Sequence, residues 1–102
     1  MGQVIPLSNR SESHFLGTRF SACDLRQELE DALIEHEQVT LDFDSTFVTQ
    51  SFIDELLGVL ILKHSPEFLN KIVFKNCSPD AKAILQLVVS TRSNDYRKKY
   101  HH

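Results

Sequence analysis

A chain of 102 residues with 41% hydrophobic and 25% charged residues is the size of one globular domain, large enough to fold without disulfides or a structural metal. A formal net charge of −3 excludes a nucleic-acid footprint spread over the whole surface, since only Arg97, Lys98 and Lys99 form a basic run. Cys23 and Cys77 make no disulfide framework, and the longest apolar run, residues 56–62, is far short of the roughly 20 residues of a bilayer span. With no continuous apolar core in residues 1–20, the expectation is a soluble cytoplasmic protein.

In chain order, Val4, Ile5 and Leu7 predict a short edge strand, because Pro6 has no N–H to give to a ladder. Residues 8–13 are polar and read as a loop, and residues 14–16 as a second short strand ending at Gly17. A helix follows, capped by Ser21 and running to about His36, since Ala22, Leu25, Leu29, Ala32 and Leu33 recur at helical spacing. Arg26, Gln27, Glu30, Asp31 and Glu35 make up its solvated face.

The stretch that organises the rest is VTLDFDSTFVTQSFIDELLGVLIL, residues 39–62. Val39, Leu41 and Phe43 alternate with Thr40, Asp42 and Asp44, which predicts a strand with one apolar face turned inward. A polar loop then leads to a helix for which Ser51 is the expected N-cap, its hydroxyl accepting from the Asp54 N–H. Asp54 and Glu55 fall in the first turn, where the helix dipole favours carboxylates. Phe52, Ile53, Leu56, Leu57, Val59, Leu60, Ile61 and Leu62 are too dense for a surface helix and predict one mostly covered by its neighbours; Pro66 ends it.

Residues 72–74 read as another buried strand. Ser78 as N-cap, Pro79 at the first helical position and Asp80 in the first turn announce a last helix. Its apolar positions, Ile84, Leu85, Leu87 and Val88, fade near Thr91, and residues 96–102 read as a docked or frayed tail, with His101 and His102 consistent with a tag remnant. Strands alternating with helices imply an α/β domain whose neighbouring strands are parallel and joined by right-handed crossovers. Ligands and partners meet such sheets at the carboxyl ends of the strands, here residues 44–50 and 76–80.

A strand, a Thr/Ser-rich loop, SFIDELLGVL, a second strand and then NCSPDAKAILQ together resemble the STAS domain, most closely the bacterial STAS-like family of unknown function. Phe15, Leu16, Gly17, Thr18 and Arg19 ahead of the first helix fit as well, so the resemblance spans residues 15–89. It implies a single STAS-like domain at residues 14–91, preceded by an edge strand and loop (1–13) and followed by a polar tail (92–102). It also implies a mainly parallel sheet with helices packed on one side. STAS domains include anti-sigma factor antagonists, which bind an anti-sigma factor that is also an ATP-dependent kinase and phosphorylates a serine at the start of the helix after the central strand. By position that serine is Ser51. The family's switch motif has an Asp directly before the serine and small residues after it, where this chain has Gln50 and Phe52.

The resemblance therefore implies a non-catalytic regulatory module without cofactor. Its expected partner is an ATP-binding regulator of the kinase/anti-sigma type, met through Thr46, Thr49, Gln50, Ser51, Asp54, Glu55, Ser78 and Asp80. A phosphate on Ser51 would find free N–H donors at the helix N-terminus and add about two negative charges beside Asp54 and Glu55. The plainer reading leaves Ser51 as an N-cap only.

Two alternatives come from other classes. LDFDST, residues 41–46, resembles the first motif of haloacid-dehalogenase-type phosphatases, which implies Asp42 as nucleophile, Asp44 as general acid/base and a Mg²⁺ between them. That fold is normally much longer, and its later acidic pair is missing here, where only Asp80 and Asp95 follow residue 74. The other alternative is a subunit, a homodimer included, that completes an assembly through a sheet edge. His14, His36 and His64 lack metal-ligand spacing and read as solvated, Cys23 and Cys77 as partly buried small side chains, and Arg19 as the partner of an acid.

Overall fold

The structure, a computed structural model, describes residues 2–9 and 15–100. The chain runs β1 (Gly2–Pro6), β2 (Phe15–Leu16), α1 (Arg19–Glu35), β3 (Gln38–Asp42), β4 (Phe47–Val48), then α2 (Gln50–Ile53), a π turn (Asp54–Gly58) and α3 (Val59–His64) as one continuous rod. A 3₁₀ segment (Pro66–Lys71), β5 (Ile72–Lys75) and α4 (Pro79–Tyr100) complete it.

The main sheet has the order β1-β3-β5, all parallel, with Ile5 opposite Leu41 and Leu41 opposite Phe74. Alternation puts Ile5, Val39, Leu41 and Ile72 on the covered face, with Leu7 and Phe43 extending it beyond the strand ends. The Leu7 N–H bonds to the Asp42 carbonyl and the Phe43 N–H to the Lys75 carbonyl, which carries the ladder past β3. The helices cover this face alone; on the other, Val4 and Val73 are 59% and 40% exposed. The α/β architecture with parallel neighbours and helices on one side is therefore as the sequence predicts, and Pro6 ends an edge strand.

A second, two-stranded parallel sheet of β2 and β4 is new. The sequence predicts loop at residues 47–48, because two-residue strands leave no periodicity to read. The start of the predicted 14–16 strand and most of the 8–13 loop lie outside the described residues, as do His14, His101 and His102.

Within the rod, Phe52, Ile53, Leu56, Leu57, Leu60 and Ile61 are completely covered, whereas Val59 and Leu62 are half-buried. The covered positions recur every four residues, and at about 100° per residue such a repeat drifts roughly 40° per step from an α-helical face. The π turn absorbs that drift: the Val59 N–H reaches back five residues to the Asp54 carbonyl. With α1 along one flank of the rod and α4 along the other, the apolar stripe stays enclosed.

Several local expectations are corrected. Thr18, not Ser21, caps α1: its extended backbone lets Oγ1 accept from the Ser21 N–H at 3.1 Å, while Ser21 lies inside the helix. Arg26 and Glu30 do not simply face water, since Arg26 bonds Glu55 and Glu30 bonds Lys63 and His64. The Lys63 ammonium, then His64, hold the Glu30 carboxyl below its ordinary range. His36 is half-buried at the end of α1. Cys23 is exposed rather than partly buried; Cys77 is partly buried, and that burial pushes its thiol pKa up. Finally, α4 does not fade at Thr91 but continues to Tyr100. Its inward stripe merely turns polar, through half-buried Arg92, Ser93 at 5% exposure and half-buried Tyr96, and the Tyr96 and Tyr100 rings meet at 4.6 Å. Among the described residues no helix is long and apolar enough to cross a membrane.

Candidate functional site

Thr49 begins the site. Its backbone is extended, its Oγ1 accepts from the Phe52 N–H at 3.2 Å and donates to the Gly17 carbonyl at 2.8 Å, and its N–H bonds to the Leu16 carbonyl. Thr49 therefore both caps the rod and ties it to β2. The expected cap, Ser51, sits one position further into the first turn than Gln50, exposed, and its hydroxyl makes no hydrogen bond among the described residues. Ser51 is the hydroxyl nearest the apolar run, but not the one at the helix start. Thr49 is two residues earlier, where the chain still leaves β4 in extended geometry.

Asp54, at the start of the π turn, is 8% exposed. Arg92 of α4 grips it with one edge of its guanidinium, Nε to Oδ1 at 2.6 Å and Nη2 to Oδ2 at 2.8 Å. Arg19, the first residue of α1, adds Nη1 to Oδ2 at 2.7 Å. The Arg92 guanidinium holds the Asp54 carboxyl below its ordinary range, against the opposing effect of burial and with help from Arg19, and Asp54 raises the Arg92 pKa in return. Glu55 is bonded to Arg26 and lies 4.0 Å from Arg19. The expectation that Arg19 pairs with an acid is met, and Asp54 and Glu55 lie near the start of the rod as expected, each bonded to arginine besides.

Close approach of α4 depends on Gly58. A Cβ there would lie 2.5 Å from Asp54 Oδ1 and 3.0 Å from Arg92 Cγ, both committed to the ion pair. The result is a cleft of about 460 Å³ lined by Arg19, Gln50, Ser51, Asp54, Thr91 and Arg92 over Val88.

The remaining predicted site residues lie elsewhere. Thr46 is 7% exposed and its hydroxyl donates to the Asp44 carbonyl. Ser78 caps α4, accepting from the Ala81 N–H at 3.1 Å as predicted, and Asp80 is exposed in the first turn; neither lines the cleft. The cleft meets α4 more than two turns along, at Val88, Thr91 and Arg92.

At the strand ends, Asp42 closes the turn: its Oδ1 accepts from the Asp44 N–H and from Asn76 Nδ2, both at 3.0 Å. The Asn76 donor, then the Asp44 N–H, hold Asp42 below the usual carboxylate range. Ser45 and Asn76, at φ 55° and 59°, shape this corner in left-handed geometry that Asn tolerates best among non-glycine residues. Asp44 is exposed, and no group of three or more His, Cys, Asp or Glu that could hold a metal occurs among the described residues.

A sequence profile of the STAS-like domain of unknown function (DUF4325) matches residues 21–82, well over half of the 102. The chain belongs to this STAS-like family. The match agrees with the parallel sheet, the helices on one face and the rod after the central strand. No curated protein and no solved structure matches the chain at significance. The matched segment of the STAS-like domain ends within the first turn of α4 and starts after Arg19, so both arginines that close on Asp54 come from outside it.

Proposed function

We propose that this STAS-like domain is a non-catalytic regulatory module, resembling the anti-sigma factor antagonists, that binds an ATP-binding regulator through residues 45–55 and is switched at Ser51. The observation that carries this reading is the state of Ser51: exposed, with Thr49 capping the rod in its place, and opening onto the cleft of Arg19 and Arg92. A serine relieved of capping can be modified without undoing the helix. A phosphate on it would place about two negative charges in a cleft where Arg92 is engaged with Asp54 through two bonds and Arg19 through one. The surface met by the partner would change sign while the sheet and rod stay as they are.

The test is affinity co-purification from the native cytosol with wild-type and Ser51→Asp baits, the bound proteins being identified by mass spectrometry. An ATP-binding regulator recovered by the wild type and lost with Ser51→Asp is the expected result. Recovery by both baits would keep the binding module and reject Ser51 as its switch, and recovery by neither would reject the module.

A further inference from the structure

We infer that the cleft beside Ser51 receives an acidic side chain of a protein partner, selected by Arg19, with Phe47, Phe15 and Phe20 seating an apolar residue next to it. This rests on residues 45–55 being the partner surface. It reverses the charge that the sequence suggests there. Asp54 and Glu55 read as two free acids at the head of a helix, yet their side chains are only 11% and 18% exposed and both are bound to arginines. What an approaching molecule meets is guanidinium.

The surplus of donors lies at Arg19. Arg19, Arg26 and Arg92 face Asp54 and Glu55, and Asp95, with a side chain 43% exposed, balances the third charge by reaching Arg92 at 3.4 Å rather than Arg19. Arg92 spends Nε and Nη2 on Asp54. Arg19 spends one N–H there, and its side chain is 53% exposed. A guanidinium carries five N–H donors in a planar fork, so most of those of Arg19 are open to a second carboxylate. Gln50, Ser51 and Thr91, all exposed, line the same cleft with neutral hydrogen-bonding groups.

The apolar part lies alongside in the chain. Phe15 and Phe47 are register partners across β2 and β4, 54% and 70% exposed, and Phe20, next to Arg19, is 89% exposed. Phe47 stands three residues before Gln50. None of the three lines the cleft itself, but aromatics this exposed, adjoining Arg19 and Gln50 in the chain, are the composition of a contact surface rather than of a solvated one. The occupant that satisfies both halves is a segment carrying Asp or Glu beside an apolar residue.

The test is selection of random displayed peptides on the full chain, followed by affinity measurement of the winners on variants. Enriched peptides should carry Asp or Glu next to an apolar residue. Arg19→Gln should weaken them by about tenfold to a hundredfold, as expected for a charged hydrogen bond. Phe47→Ser should weaken them too, Asp95→Asn should tighten them, and replacing their acid by its amide should abolish the Arg19 dependence. Arg19→Gln leaves Asp54 its two bonds from Arg92, and an unchanged urea midpoint, within the small shift of a surface change, verifies the fold. No enrichment, a consensus without an acid, or equal binding by Arg19→Gln would overturn the inference. Those outcomes leave the Ser51→Asp capture experiment to decide the proposed function separately, and a failure of that experiment leaves the peptide consensus standing.

Discussion

Asp42 and Asp54 stand at the two ends of one short stretch, both with carboxyls held below their ordinary range, and they do opposite things for the protein. Asp42 is held by uncharged donors, an amide side chain and a backbone N–H, at the water-facing corner where β3 and β5 end. Asp54 is held by two guanidiniums between α1 and α4, with only 8% of its surface exposed. Water replaces whatever Asp42 loses. The two-bond grip of the less exposed Arg92 on Asp54 is not so readily replaced by water, so the same direction of pKa shift signals a turn in one case and a clamp between helices in the other.

The largest expected effect breaks the clamp from its distal side. Arg92→Met should cost about 2–3 kcal/mol in urea unfolding, the figure for opening a buried ion pair reduced for the partial exposure of Arg92. Next comes Gly58→Ala, expected to cost about 1–2 kcal/mol because the new methyl group must push Asp54 or Arg92 aside. In the Arg92→Met background the same substitution should cost measurably less, and full additivity would show that Gly58 matters for some other reason.

Acid sharpens the contrast further. Asp54 is deprotonated to lower pH in the folded chain than in the unfolded one, so its stabilisation is complete above the ordinary carboxylate pKa of about 3.9 and is lost as pH falls through the depressed folded value. The stability difference between wild type and Asp54→Asn should therefore hold steady down to about pH 5 and shrink below about pH 4. A difference independent of pH over that range would assign the loss to packing instead.

Capping supplies a smaller effect. Thr49→Ala should cost about 1 kcal/mol and Ser51→Ala less than about 0.5 kcal/mol, the reverse of the order implied by taking Ser51 as the cap. The smallest change is expected of Asp42→Asn, which keeps an oxygen able to accept from Asn76 and Asp44, with a urea midpoint close to that of the wild type.

Legibility followed the size and locality of the signal. Strand β3, the apolar rod and the Ser78, Pro79 and Asp80 start of α4 announce themselves within a few residues, and each stands where the sequence puts it. The caps stand one hydroxyl earlier than the apolar pattern suggests, at Thr18 and Thr49. In each case Ser21 or Ser51 offered the right chemistry closer to the apolar pattern, and only the extended backbone before the helix distinguishes the two.

By itself the sequence determined the parallel α/β architecture, the buried face of β3 and the enclosure of the rod, because periodicity of apolar residues is a local property that burial simply obeys. Tertiary structure alone decided that Asp54 is a clamped acid rather than an offered one. Arg19 and Arg92 are separated from it by 35 and 38 residues, and their charges bear on Asp54 only because α1 and α4 flank the same turn of the rod at Gly58. No spacing rule connects positions so far apart; packing does.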